Sequence, residues 1–365
     1  MGRDLLSVSI LANVDSPQPG RIHFQFLKFF HAFYRGKSYL DPLSGAIRGT
    51  LISRLIAGLK GGLMLGRVIS VANSKGGVGK TTTTVSLAEA FAAEGYRTLV
   101  VDLDSQANAS LLIYGENGDE RLYDAIHNYT NVSDYLRENF LGECFAHMTK
   151  FIVPHASDVQ FMGKPLDLSL VPATPGLRRA ERELIYILTE QGYSMTAIEG
   201  RVGLRLRQDM ADLRKQYDIV ICDCPPGISA MTEATLSASD LIIVPTIPDF
   251  MSTLGLDLFT GDIIDSLKKR GLSNRPVVLP TKFDGSAHQS IVLEAMRDGA
   301  SDPESEYDIF QTVIPQKAEF AANPVELGAN PTLAQKWPGD ALTTVNMLYQ
   351  EVQARLAAQS TNAAA

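Results

Sequence analysis

The stretch Val68-Ile-Ser-Val-Ala-Asn-Ser-Lys75-Gly76-Gly77-Val78-Gly79-Lys80-Thr81-Thr82 decides the fold. A short β-branched run ends in a glycine-rich turn, and the turn opens directly into a helical pattern at Thr81–Glu94. Glycines let successive backbone N–H groups point inward at a polyphosphate, and the helix N-terminus adds partial positive charge. In that arrangement Lys80 neutralises the β- and γ-phosphates and the Thr81 hydroxyl ligates Mg²⁺. Ser74 stands where the common G-x-x-x-x-G-K-[ST] pattern has its first glycine, and Gly76 and Gly77 supply the flexibility instead. A glycine-rich turn that binds nothing is the bland alternative. Strand, turn, Gly-Lys-Thr and helix in register argue against it. Lys75 is the informative deviation. At the front of the loop it cannot easily fold back onto its own phosphates, so it is either a solvated surface lysine or a group that reaches a nucleotide held by a second subunit.

Working outward, further apolar runs occur at Thr98–Leu103, Leu168–Pro172, Asp218–Cys222, Leu241–Ile247, Pro276–Thr281 and Phe310–Ile314. Each is short and continuous rather than alternating, as in strands buried on both faces of a parallel sheet. Helical patterns lie between them at Pro175–Gln191, Gly203–Gln216, Thr232–Ser239, Gly255–Arg270 and Ala287–Arg297, with a last one at Asp340–Ala358. The alternation predicts an α/β fold: a doubly wound, mostly parallel sheet with helices on both faces. Residues 115–165 read as an irregular helical insertion.

Composition narrows the classes. The 365 residues are 45% hydrophobic and 20% charged, which excludes disorder and low complexity, and no apolar run approaches the length of a membrane span. Cys144, Cys222 and Cys224 are too few for a disulfide framework and favour a reducing cytoplasm. Met1 is not followed by a basic and then an apolar signal region, which speaks against secretion. The net charge of −8 argues against a dedicated, tight nucleic-acid binder but leaves room for a local basic face.

The charge is uneven. Residues 1–66 hold eight basic and three acidic side chains and carry +5, leaving −13 for the remainder. The shift marks a boundary near Gly61–Gly66. The expected organisation is a basic extension over 1–66, a P-loop domain over 67–358 and a flexible tail over 359–365. Three readings compete for the extension: a DNA- or partner-binding segment, a membrane-surface segment, and an upstream stretch not used as protein. In Ile47–Lys60 an apolar arc of Ile47, Leu51, Ile52, Leu55, Ile56 and Leu59 suits a lipid or partner surface, but Arg48 falls in its middle. Met64 precedes the first strand, and a chain beginning there is expected to fold and bind ATP.

The phosphate loop resembles that of the ParA-type ATPases, the branch of P-loop proteins that includes plasmid and chromosome partition ATPases and their MinD relatives. The resemblance continues at Leu99-Val-Val-Asp102-Leu-Asp104-Ser-Gln106-Ala-Asn108, where Ser105 and Ala107 replace the family's proline and glycine, and at Tyr217-Asp-Ile-Val-Ile-Cys-Asp223-Cys-Pro225-Pro226-Gly227. It extends through Leu241–Pro245, Leu279-Pro-Thr-Lys-Phe-Asp284 and Phe310-Gln-Thr-Val-Ile-Pro315, so it spans about 67–356. It implies a deviant Walker A loop in which Lys75 through Thr82, including Val78, cradle ATP, and Lys75 reaches across an ATP-sandwich homodimer. It also implies that Asp104 orients the attacking water, and that Pro315 lies near the adenine. Asp223 ends a buried strand, where a carboxylate needs a cation, and the Mg²⁺ shell provides one. Asp102 either supports Asp104 in catalysis or binds backbone N–H groups at its strand end.

The family reading adds an adaptor protein that stimulates slow hydrolysis, non-specific DNA as a further partner, and a cytoplasmic, nucleoid-associated setting. Candidates for a DNA face are Lys268-Lys269-Arg270 with Arg275, and the helix bearing Arg201, Arg205, Arg207, Arg214 and Lys215. A regulator or scaffold that recruits a protein partner without touching DNA is the alternative. Cys222 and Cys224 share one side of a strand, away from Asp223, and read as packing residues. The six histidines form no pair at ligand spacing. Arg355 is the one base in the tail 349–365, which therefore lacks the basic membrane helix of MinD-like relatives.

Overall fold

The computed structural model describes residues 65–362 except 143–144, 228, 270–273 and 322–327. The extension, its segment Ile47–Lys60, the Met64 start, Cys144 and Arg270 lie outside the described residues.

Seven strands form one parallel sheet. They are β1 (Arg67–Val71), β2 (Thr98–Asp102), β5 (Leu168–Val171), β6 (Ile219–Asp223), β7 (Leu241–Thr246), β8 (Val277–Pro280) and β9 (Asp308–Ile309), in spatial order β5-β2-β6-β1-β7-β8-β9. A separate two-stranded hairpin pairs β3 (Gln160–Phe161) with β4 (Lys164–Pro165). The helices are α1 (Lys80–Ala93), α2 (Asn108–Tyr114), α3 (Gly118–His127), α4 (Val132–Phe140), α5 (Leu177–Glu190), α6 (Met195–Gln216), α7 (Ala230–Ala238), α8 (Phe250–Lys269), α9 (Ala287–Ala300), α10 (Leu333–Lys336) and α11 (Asp340–Asn362).

Strand side chains alternate between two apolar cores, which is why the runs carry Val, Ile and Leu at most positions. On one face Val68, Leu99, Val220 and Ile242 pack with Leu136 of α4, Leu184 of α5, Leu206 of α6 and Leu256 of α8. On the other, Ile69, Val100, Ile221 and Ile243 pack with Val85 and Phe91 of α1, Ile113 of α2 and Val345 of α11. The expected doubly wound architecture is present. Cys222 and Cys224 are both in the first core, and burial pushes the Cys222 thiol up to about 12.

Several elements differ from the sequence reading, helix α8 among them, which begins at Phe250 rather than at the expected Gly255. Phe310–Ile314 is not a strand. The ladder with β8 ends at Ile309, although Phe310 N–H still donates to the Val278 carbonyl (2.8 Å) and Ile314 N–H to the Pro280 carbonyl (2.9 Å); between them the Glu351 carboxylate of α11 accepts the N–H groups of Gln311 (2.9 Å) and Thr312 (3.0 Å). Helix α6 starts eight residues before the expected Gly203, where the Ser194 hydroxyl caps it by accepting Ala197 N–H. The insertion 115–165 resolves into α3, α4, short 3₁₀ turns and the hairpin. Buried Asp209 of α6 holds it by accepting Tyr135 O–H (2.7 Å), Met148 N–H (3.1 Å) and Arg205 (2.8 Å). Helix α11 runs on to Asn362, past the expected end of the domain at 358, and Gln359 donates to the Asp240 carbonyl at 3.0 Å.

Candidate functional site: a phosphate loop with two lysines

The C-terminal ends of β1, β2 and β6 lie side by side, with Val71, Asp102 and Asp223 at the same level. The loop 74–79 joins β1 to α1 there. Gly77 (φ 73°) and Gly79 (φ 91°) occupy the left-handed region that lets the loop wrap, and glycine adopts it without the Cβ clash other residues meet. Two residues that sequence reading missed fix the loop to the sheet. Asn73 donates through Nδ2 to the Pro245 carbonyl (2.8 Å) and accepts Lys75 N–H (2.9 Å). Thr281, after β8, donates its hydroxyl to the Val78 carbonyl at 2.8 Å.

Lys80 is buried, and its ammonium donates to the carbonyls of Lys75 (2.8 Å) and Asn73 (3.3 Å). Burial lowers its pKa, opposed by the charges of Asp223 and Asp104. The Lys75 side chain takes another direction: its ammonium lies 3.3 Å from the Ser252 hydroxyl at the start of α8. Gly255 makes room for it, since a Cβ there would stand 3.1 Å from Lys75 Cε. Gly76 and Gly77 have nothing within 4 Å of the position a Cβ would take.

Asp223 is 1% exposed and accepts the hydroxyls of Thr81 (2.9 Å) and Thr84 (3.1 Å). Burial, with the Asp102 charge reinforcing it, pushes Asp223 up to about 8. An anionic Asp223 therefore needs a cation beside it. The Thr81 hydroxyl and a carboxylate are hard oxygen donors of the kind Mg²⁺ takes alongside phosphates and water. Among the described residues no group of three or more His, Cys, Asp or Glu side chains is placed to hold a metal ion by itself, and a phosphate-bound Mg²⁺ requires none. The donor set fits the ion.

Asp102 is fully buried and accepts Asp104 N–H (3.1 Å), Ser110 N–H (2.9 Å) and Ser110 O–H (2.6 Å), so it organises the turn that carries Asp104. Desolvation pushes it up to about 6. Asp104 is half-buried, accepts Gln106 N–H at 3.0 Å and acts electrostatically on both Lys80 and Asp223. Next to the loop is a cavity of about 440 Å³ lined by Gly79, Thr82, Lys282, Pro315, Gln316 and Phe320, among others. Every residue read from the sequence as a loop, metal or water-orienting group thus lies at this one end of the sheet.

The basic faces are a different matter. On α6, Arg205 pairs with Asp209 (2.8 Å), Arg214 with Asp240 (2.8 Å) and Lys215 with Asp212 (2.6 Å), while Arg201 lies over the Tyr193 ring. Arg275 is 3.7 Å from Asp308. No helix among the described residues is long and apolar enough to cross a membrane.

A parallel sheet with this loop, a metal-ready carboxylate on the adjacent strand and a base-sized cavity beside it define a P-loop nucleotide-binding protein. A family profile described as "AAA domain" matches residues 66–276. The Myxococcus xanthus chromosome partitioning protein ParA is 30% identical over 275 residues, 73% of this chain and 81% of that protein. Cobyrinic acid a,c-diamide synthase from Mycobacterium smegmatis, solved with bound ADP and magnesium, is 26% identical at a TM-score of 0.52, over 72% of this chain and 92% of that one. A plasmid partition protein from Borrelia burgdorferi bound to AMPPNP shares the fold, at a TM-score of 0.54 and 16% identity over 80% of this chain and 99% of that one. The chain belongs to the ParA-type ATPase family.

Proposed function

We propose that this chain is a nucleotide-switched ATPase that positions DNA or another cargo. On this reading it binds ATP with Mg²⁺, pairs with a second copy over the bound nucleotide, and hydrolyses slowly until a partner protein triggers it. The observation that carries the reading is the bond from Thr81 to Asp223 beside a glycine loop with a lysine at each end. Lys80 exchanges two neutral carbonyl acceptors for anionic phosphate oxygens, a charge-assisted and stronger contact. Thr81 and Asp223 hold Mg²⁺, which neutralises charge on the phosphoryl group when bound. Asp104 orients the attacking water, and Asp102 fixes the turn on which Asp104 stands. Lys75 leaves Ser252 and reaches the nucleotide of the second copy. Pro315 and the cavity around it receive the base.

The M. xanthus relative supports DNA as the cargo. The pairing of Arg205, Arg214 and Lys215 with carboxylates of this chain favours a second reading, a switch that recruits a protein and leaves DNA alone. Salt-sensitive, ATP-dependent retention on unrelated DNA separates the two, because phosphate contacts release counterions.

Light scattering and phosphate release together test the ATPase reading. ATP should double the mass of the wild type. Lys75→Ala should bind nucleotide and stay single, and Asp104→Ala should accumulate as a dimer with turnover down roughly 100-fold. A Lys75 variant that pairs normally removes the role in trans.

A further inference from the structure

Helix α2 follows the turn that carries Asp104, and little within the helix fixes its position. It is seven residues long, starts behind Ala107 in the left-handed region (φ 54°) and has no side-chain cap at that end. A helix this short does not hold itself. Ile113 and Tyr114 pack into the core, and such burial is non-directional. Two sets of polar contacts grip it instead. Near its start Ser110 donates its N–H and O–H to Asp102, at 2.9 and 2.6 Å. Near its end the Lys336 ammonium donates to the Leu112 carbonyl at 2.7 Å, in the last turn, where carbonyls lack an intrahelical partner.

Lys336 is itself held. It is 2% exposed and lies 2.5 Å from fully buried Glu89 of α1, whose other oxygen accepts Trp337 Nε1–H at 2.7 Å. The Trp337 ring stands 6.1 Å from that of Phe320, which lines the cavity beside the loop. One ammonium thus joins the helix behind the phosphate loop to the helix behind Asp104.

We propose that Lys336 is a positioning residue for hydrolysis: fixed by Glu89, it sets where α2 stands and through α2 the place of Asp104. The proposal rests on the reading of Asp104 as the group that orients the attacking water. Stability alone does not account for the pair. Charges are costly to remove from water, and apolar residues of the same volume often serve a core equally well. The pair adds direction. With Ser110 tied to Asp102, loss of the Lys336 bond frees the other end of α2. A displacement of about 1 Å at a reacting group can cost on the order of 100-fold in rate. The contacts of the loop with nucleotide do not pass through α2, so binding is spared.

The test uses the full chain with Glu89→Gln and Lys336→Met together, since Lys336→Met alone leaves a buried carboxylate unpaired. The glutamine still accepts Trp337 Nε1–H, and Asp158, another carboxyl in electrostatic reach of Lys336, keeps Arg121. The Leu112 carbonyl loses its donor, so the melting temperature should fall by no more than about 10 °C. ATP affinity should stay within about threefold of wild type, while turnover at saturating ATP falls at least about tenfold. Adding Asp104→Ala should slow the double variant no further than Asp104→Ala slows the wild type, because both act through one turn. Wild-type turnover in the folded double variant, or losses that multiply with Asp104→Ala, would overturn the proposal and leave the reading of Asp104 standing. A double variant that no longer folds would assign the pair to stability and overturn it too. Asp104→Ala hydrolysing at the wild-type rate would overturn both.

Discussion

Asp102 and Asp223 stand directly beside each other in the register of β2 and β6, both buried, and every hydrogen bond either accepts comes from a neutral group. Two adjacent carboxylates at strand ends destabilise each other when both are ionised. The arrangement makes sense where a cation is regularly supplied from outside the chain.

The first expected outcome concerns pH. Asp223 is raised from 3.8 to about 8 by burial and by Asp102. A carboxyl raised in the folded state stabilises the fold fully below its unfolded value, and that contribution is lost as pH rises through the folded value. The melting temperature of nucleotide-free protein in chelator should therefore fall by roughly 3 °C between about pH 6 and pH 8.5. Asp223→Asn should flatten most of that slope. A level profile for the wild type would contradict the burial argument.

Lys80→Ala should fold, because the two carbonyls it releases can turn to water at the open side of the loop. Its ATP affinity should drop roughly 100-fold for want of the phosphate counter-charge. Titration with a fluorescent ATP analogue measures this, and near-wild-type affinity would remove the loop assignment.

Thr281→Val keeps the shape of the side chain and deletes the hydroxyl that binds the Val78 carbonyl. An orphaned buried acceptor costs about 1–3 kcal/mol, so the melting temperature should fall with it. Nucleotide affinity should weaken about tenfold, since the loop loses one of its two anchors. Unfolding curves paired with nucleotide titration would show whether both changes occur.

Lys336→Met probes a buried ion pair behind α1. Lys336 lies 2.5 Å from Glu89, which also accepts Trp337 Nε1–H at 2.7 Å. Removing the cation leaves a carboxylate that burial already raises above its ordinary value. Breaking such a pair costs about 3–5 kcal/mol. The loss should be larger at high pH than at low pH, because burial favours the protonated Glu89 and a proton removes the charge that needs the cation. Equal destabilisation at both values would assign the effect to packing.

The strands were legible because a sheet covered on both faces needs Val, Ile and Leu at most positions, and Gly79-Lys80-Thr81 was legible because phosphate chemistry admits few alternatives. Polar contacts between distant single residues were not. Asn73 bonds to Pro245, and Ser110 closes on Asp102, without any periodicity to announce them. Ala107 shows both sides. It replaces the glycine that the resemblance expects, and its backbone still adopts φ 54°, so the turn survives the substitution at a conformational cost. The Phe310–Ile314 run misled because its composition suits a strand, whereas the distant Glu351 takes the N–H groups of Gln311 and Thr312 in its middle.

That carboxylate has a consequence at the rim of the sheet. A two-residue border strand followed by N–H groups already occupied offers little template for an incoming strand from another molecule. At the opposite border, backbone bonds between Val153 and Leu170 and from Ala156 to Leu168 cover β5. Both margins of the sheet are therefore guarded against edge-to-edge aggregation, and a protein that associates through other surfaces can do so at high local concentration without its strands fusing.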